Sequence, residues 1–274
     1  MKHSFLFFLI FLFIIYYVLT KFINTAPIIN EKTKICLVTG ASSGIGEQIS
    51  KCMIKKGWKV LGISRNFEKL QDIQKEVGSN NFITYKCDIS DFEQIKKVSQ
   101  EIKTNNLKPT LFFLNAGTGD IEAKNKISVD SHKKTFDTNY FGTIGFVQEW
   151  VDSLKELGGG TFVATSSVMS FYALPESAAY SASKAAINMC FQSLRLKYID
   201  DNIGFVIALP GPVDTSILKN GEKLPFKQTA EKCAQYIVNQ TFNRSNQIEP
   251  SWFYSAVVRL LNWIPDKWVL KIVK

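Results

Sequence analysis

Tyr180 and Lys184 stand four residues apart in Ala179-Tyr180-Ser181-Ala182-Ser183-Lys184, and Ser167 lies thirteen residues before the tyrosine. These residue types can move a proton to or from a carbonyl oxygen. A hydroxyl holds the oxygen, a phenol exchanges the proton and an ammonium tunes the phenol. Ala185, Ala186, Ile187 and Met189 continue the segment as a helix, on which positions i and i+4 share a face. The Lys184 ammonium is therefore expected beside the Tyr180 phenol, favouring the phenolate and lowering a pKa that is ordinarily about 10. The plain alternative is an amphipathic helix with one tyrosine and one solvated lysine, and YxxxK alone occurs often by chance.

The elements around the trio argue for the chemical reading. Lys34 to Thr39 is an apolar run of strand character, Gly40-Ala41-Ser42-Ser43-Gly44-Ile45-Gly46 follows, and Glu47 to Lys56 has a helical pattern. Strand, glycine turn and helix form the setting in which backbone N–H groups meet a dinucleotide pyrophosphate. No Gly-Lys-Ser/Thr follows, so the turn is not a phosphate loop of the NTPase type, and its spacing is not GxGxxG either. Further strand-like runs fall at Val60–Ile63, Phe82–Tyr85, Thr110–Leu114, Thr161–Thr165 and Ile203–Leu209. Helical stretches lie between them at Phe67–Val77, Phe92–Lys103, Ser131–Leu157 and Tyr180–Tyr198. Such alternation predicts an α/β fold, a doubly wound parallel sheet in a single domain over residues 33–250.

Thr39-Gly40-xxx-Gly44-x-Gly46, Asn115-Ala116-Gly117, Ser167, Tyr180-xxx-Lys184 and Pro210-Gly211-Pro212-Val213-Asp214-Thr215 stand in one order. In that order and spacing the chain resembles the short-chain dehydrogenase/reductase family over about residues 33–217. The resemblance implies a Rossmann-type sheet and a nicotinamide cofactor held by Thr39, Gly40, Ser42, Ser43, Gly44, Ile45 and Gly46. It makes Tyr180 the general acid, Ser167 the hydrogen-bond donor to the substrate oxygen, and Lys184 a group that lowers the tyrosine pKa and grips the nicotinamide ribose. Asn139 matches an asparagine that supports a proton path through the lysine; its alternative is a polar residue at a helix bend. Asp88 resembles the acid that contacts adenine, with a helix cap as alternative. Val213 and Thr215 resemble residues that hold the carboxamide, and Asn115 is expected to brace the central strands beside the cofactor. The small-molecule substrate is then a carbonyl or an alcohol.

Cofactor choice is read at the end of the second strand, Gly62-Ile63-Ser64-Arg65. An NAD site needs a carboxylate there for the ribose 2′-OH, whereas this chain offers neutral Ser64 and cationic Arg65, which can pair with a 2′-phosphate. NADP(H) is expected over NAD(H). Ser43 does not supply the second basic residue that the family often carries in the glycine turn.

Several chemistries are excluded. The only histidines are His3 and His132, so a Ser-His-Asp hydrolase would have to rely on His132. Cys36, Cys52, Cys87, Cys190 and Cys233 are scattered without CxxC, which excludes a zinc site and a disulfide framework. The net charge of +9 comes from dispersed lysines with no nucleic-acid module. An epimerase or dehydratase would need a longer substrate domain. A reading from another class is a cofactor-binding sensor or scaffold without turnover, against which the intact trio argues.

The ends point to a membrane. Residues 1–24 contain the uncharged apolar run Phe5 to Leu19, expected as a hydrophobic helix that acts as an uncleaved signal anchor, with a cleaved signal peptide and secretion as alternative. An anchor places the protein on a membrane, with the endoplasmic reticulum expected. Lys21, Lys32 and Lys34 lean towards a cytosolic catalytic domain, while the sequons at Asn239 and Asn243 have meaning only in a lumen. Residues 25–32 read as a linker. Residues 251–274 mix tryptophan and aliphatic residues with Arg259, Lys267, Lys271 and Lys274, fitting either an interfacial helix in contact with membrane lipid or a tail packed on the core or a partner subunit. The resemblance to anchored hydroxysteroid dehydrogenases and 3-ketoacyl or 3-ketosphinganine reductases implies a lipid-like carbonyl substrate. Dimers and tetramers are common in the family, and nothing in the residues selects between them.

Overall fold

The computed structural model describes residues 29–119, 127–215 and 227–273, together with Phe11, Ile15 and Ala26. Apart from Phe11 and Ile15, the anchor expected in residues 1–24 lies outside the described residues, as does most of the lid expected between Asp214 and Lys227. Among the described residues no helix is long and apolar enough to cross a membrane.

Seven parallel strands form the central sheet. They are β1 (Ile35–Thr39), β2 (Lys59–Ser64), β3 (Phe82–Lys86), β4 (Leu111–Leu114), β5 (Gly160–Thr165), β6 (Ile203–Ala208) and, after a short pair described below, β9 (Gln247–Ile248). Their order is β3-β2-β1-β4-β5-β6-β9, so the winding reverses between β1 and β4. In such sheets the crevice at the strands' carboxyl ends beside that reversal takes the ligand.

Alternate strand residues feed two cores, one on each face. Leu37, Phe112, Phe162 and Phe205 point to one side; Val38, Phe113, Val163 and Val206 point to the other. Phe112, Phe162 and Phe205 are paired in register across β4, β5 and β6, with ring centroids 4.8 and 5.4 Å apart. Helices α1 (Gly44–Lys55), α2 (Phe67–Val77) and α7 (Ala230–Phe242) pack on the second face through residues such as Ile49, Leu70 and Ile237. On the first face lie α3 (Phe92–Thr104), α5 (Gly142–Glu156) and α6 (Ala178–Lys197), which bury residues such as Ile95, Trp150 and Phe191. A sheet covered on both sides explains why its strands read as unbroken apolar runs.

The helix expected over Ser131–Leu157 is interrupted. It consists of α4 (Val129–Phe136), a π-turn at Asp137–Phe141 and then α5. Buried Asn139 lies in the π-turn and ties it to neighbouring elements, so the widened turn has a local cause. Ala26 and Ile29 are buried, and the Asn30 amide donates to the carbonyls of Leu157 and Gly159. The short strands β7 (Val213–Asp214) and β8 (Gln228–Thr229) pair in parallel, and Lys227 meets Asp214 at 2.7 Å. Both ends of the expected lid are thereby held together. Helices α8 (Trp252–Leu261) and α9 (Asp266–Val273) close the chain. All five cysteines are free thiols, and burial pushes those of Cys87 and Cys233 up to about 12.

Candidate active site

Strand β5 delivers the serine. Beyond Thr165 the chain runs through Ser166 and Ser167 into a 3-10 turn at Val168–Ser170, which the Ser167 hydroxyl caps by accepting from Met169 N at 3.2 Å. The adjacent Ser166 turns away and donates to the Lys184 backbone carbonyl at 3.0 Å. Of the two serines, Ser167 is therefore the one that faces the tyrosine, and its hydroxyl hydrogen-bonds the Tyr180 phenol.

Helix α6 delivers Tyr180 and Lys184 from one face, as the spacing predicts. The electrostatics differ from expectation. The Lys184 Nζ lies 5.8 Å from the Tyr180 ring centroid and donates to the Thr165 carbonyl at 2.7 Å. Burial raises the Tyr180 phenol above its ordinary range, and the hydrogen bond with Ser167 only partly opposes that rise. Burial also lowers the Lys184 ammonium to about 8. The expected lowering of the tyrosine is thus not present, because desolvation of the phenol outweighs everything around it. The phenol remains protonated.

Asn139 is fully buried across from the lysine. Its amide oxygen accepts from Thr118 N at 2.8 Å, and its Nδ2 donates to the Thr118 carbonyl and to Ser183 Oγ at 3.1 and 3.0 Å. Gly117 keeps this corner open, since a Cβ there would lie 3.1 Å from Asn139 Oδ1 and 3.3 Å from Lys184 Nζ. Thr118 and Ser183 thus hold Asn139, and Thr165 holds Lys184, and no sequence signal singled them out. Thr165 is only the last residue of an expected strand, and Ser183 one of many small residues on α6.

The glycine turn meets this corner from β1. Gly40 and Gly44 adopt φ of +67° and +57°, which side chains disfavour. A Cβ on Gly46 would overlap the Gly40 carbonyl, so the start of α1 packs directly on the turn. Ser43 stands at the N-cap of α1 without capping it, which leaves the first N–H groups and the helix dipole directed at the crevice beside Ile45. Thr39 Oγ1 accepts from Ala116 N at 3.0 Å, and Asn115 bridges Thr39 to Thr165 at 3.4 and 3.2 Å, the bracing expected of it. These features fit a dinucleotide pyrophosphate.

At the end of β2, Ser42 and Ser64 share a hydrogen bond of 2.7 Å. Arg65 is largely exposed and lies 3.7 Å from Asp88, whose other oxygen accepts from Ser90 N and Oγ. The two residues expected to meet different parts of the cofactor are therefore neighbours. Thr215 sits against Gly44 while Val213 is buried in β7, bringing the Pro210–Thr215 segment to the same mouth.

The sequence model of the family described as short chain dehydrogenase matches residues 34–224, well over half of the chain. The protein belongs to the short chain dehydrogenase family. It is an oxidoreductase acting on CH–OH groups. The chain is 30% identical over 261 residues to 11-beta-hydroxysteroid dehydrogenase-like 3 of Arabidopsis thaliana, covering 89% of this chain and 84% of that one. It is 30% identical over 203 residues to the NADPH-dependent 1-acyldihydroxyacetone phosphate reductase of Saccharomyces cerevisiae, covering 73% and 67%. A short chain dehydrogenase from Burkholderia cenocepacia, solved in complex with NADP, superposes with a TM-score of 0.75 at 23% identity over 88% of this chain and 97% of that one.

Proposed function

We propose that this short chain dehydrogenase interconverts a lipid-like ketone and its secondary alcohol with NADP(H), from a membrane that its N-terminal segment anchors it to. The observation that carries the reaction is the meeting of Ser167, Tyr180, Lys184 and Asn139 beside an open glycine cradle. When bound, the nicotinamide supplies the hydride for reduction or accepts it in oxidation. Ser167 Oγ holds the carbonyl oxygen by a hydrogen bond. Tyr180, kept protonated by burial, donates its proton to that oxygen as the alcohol forms. Lys184 grips the ribose from its place beneath the tyrosine ring, and Asn139 fixes the wall opposite it and supports the proton path through the lysine. Gly40, Gly44, Gly46 and the N–H groups at the start of α1 hold the pyrophosphate, with Thr39, Ser42, Ser43 and Ile45 shaping the turn. Val213 and Thr215 hold the carboxamide, and Asp88 contacts the adenine.

This fold accepts either nicotinamide dinucleotide, and the end of β2 decides between them. Ser64 leaves no carboxylate to repel a 2′-phosphate, and Arg65 can leave Asp88 for it, because an exposed ion pair is worth little. Arg65→Ala should raise the KM for NADPH on the order of tenfold and leave that for NADH unchanged. Equal KM values for the two cofactors in the parent enzyme would contradict the preference.

The lipid character of the substrate rests on the apolar N-terminal run and on relatives named for steroid and acyl substrates. NADPH consumption by the detergent-purified full chain, across steroid, retinoid, fatty-acyl and sphingoid ketones, tests it. Turnover confined to one of these classes supports the reading. Cofactor binding without turnover on any of them would favour a sensor instead.

A further inference from the structure

Helix α8 carries most of its large apolar side chains outward. Its inward face has Val258 beside Ser255, which is fully buried with an unpartnered hydroxyl, and half-buried Arg259, whose Nη2 reaches Glu249 at 2.9 Å. Its outward face carries Trp252, Val257 and Leu260, exposed by 58%, 39% and 49%, and no charge. A helix on a water-facing surface has the opposite arrangement. The apolar surface continues through Trp263, 86% exposed in the turn, to Trp268 and Leu270 on α9. Lys267 and Lys271, one turn apart, stand exposed among them.

The same pair of helices is clasped to the site. The Arg259 guanidinium stacks over the Phe171 ring at 4.1 Å, Asn262 Nδ2 donates to the Phe171 carbonyl at 3.1 Å, and the Tyr172 hydroxyl reaches Asp266 at 3.5 Å. Phe171 and Tyr172 directly follow the turn that Ser167 caps.

We propose that the outward face of α8 and α9 is a docking surface for an anionic lipid bilayer, which seats the loop beyond Ser167 at the membrane. Tryptophan and aliphatic side chains enter the boundary of the acyl chains while Lys267 and Lys271 extend to the headgroups. Charge complementarity selects this occupant. The exposed charges among these tryptophans are the cations Lys267 and Lys271, with Asp266 taken up by the Tyr172 hydroxyl; a second copy of the patch would set like charges together, whereas an anionic surface attracts them. The inference builds on the lipid-ketone reading by naming where such a substrate is taken up, yet its test is indifferent to turnover.

The chain has five tryptophans, of which Trp58 and Trp150 are buried in the core and none lies in the N-terminal apolar run. Tryptophan emission therefore reports on this surface even when residues 1–24 tether the protein. The full chain is placed in phosphatidylserine-containing phosphatidylcholine vesicles, with and without bromine on the acyl chains. Emission is expected to fall by roughly half in the brominated vesicles. Replacing Trp252, Trp263 and Trp268 by Phe should remove that loss, and Lys267→Glu with Lys271→Glu should reduce it. Equal emission in both vesicles overturns the proposal. So does quenching that survives the three Phe substitutions, or shielding of these tryptophans in a cross-linkable dimer.

Discussion

Two ionisable side chains carry the chemistry proposed above, and burial shifts both of them. The Tyr180 phenol is raised and the Lys184 ammonium is lowered to about 8, each towards its neutral form. Replacing Tyr180 with Phe keeps the ring and its packing but removes the proton. Turnover should fall on the order of 10²- to 10⁴-fold while cofactor affinity, followed by fluorescence titration, stays near that of the parent. Lys184 makes a second outcome measurable. Below pH 8 it is charged both folded and unfolded, and its buried ammonium burdens the folded state. As pH rises past about 8 the folded chain releases that proton first, and the burden lifts until the unfolded chain follows near 10.5. Stability of the parent relative to Lys184→Met should therefore climb between those pH values, by up to about 3 kcal/mol. Urea unfolding of both proteins at each pH measures it, and parallel profiles would contradict the burial.

At the scale of elements, the π-turn is the device that brings Asn139 inward. Its amide makes three hydrogen bonds to Thr118 and Ser183, all in places that water does not reach freely. Asn139→Ala should cost about 1–3 kcal/mol for the polar groups left without partners, read from the urea midpoint. A loss of a few tenths would show that the turn is held by its backbone alone. The sequence exposed much of this frame. Strands β1 to β6 were legible because a sheet covered on both faces needs continuous apolar runs, and the order of the motifs implied their winding. The interruption at Asp137–Phe141 was legible only as the helix bend weighed for Asn139; its π form was not, since the apolar spacing continues through it and one extra residue in a turn leaves no compositional mark. Strands β7, β8 and β9, two residues each, are too short for any periodicity to show. The trio itself was legible by spacing, whereas the sign of the tyrosine shift was not. That sign depends on how much surrounds the phenol, which neighbouring residue types do not reveal.

The whole molecule places a polar, water-excluding corner at one end of its sheet and an apolar, tryptophan-rich surface next to the loop that leads out of it. Composition averages the two away, leaving a chain of ordinary overall hydropathy with a surplus of dispersed lysines. The apolar outward face of α8 becomes visible only once Ser255, Val258 and Arg259 are seen to face the body of the protein. The proposed reaction brings proton and hydride to one carbonyl at the corner formed by Ser167, Tyr180 and Lys184, and that claim is open to direct measurement. The detergent-solubilised full chain is supplied with NADPH deuterated at the transferring C4 position and with a long-chain or steroid ketone. The expected product is an alcohol with deuterium on the carbinol carbon, formed by the parent and not by Tyr180→Phe. Label that never reaches that carbon, or reaches it equally well in the variant, would contradict the assignment.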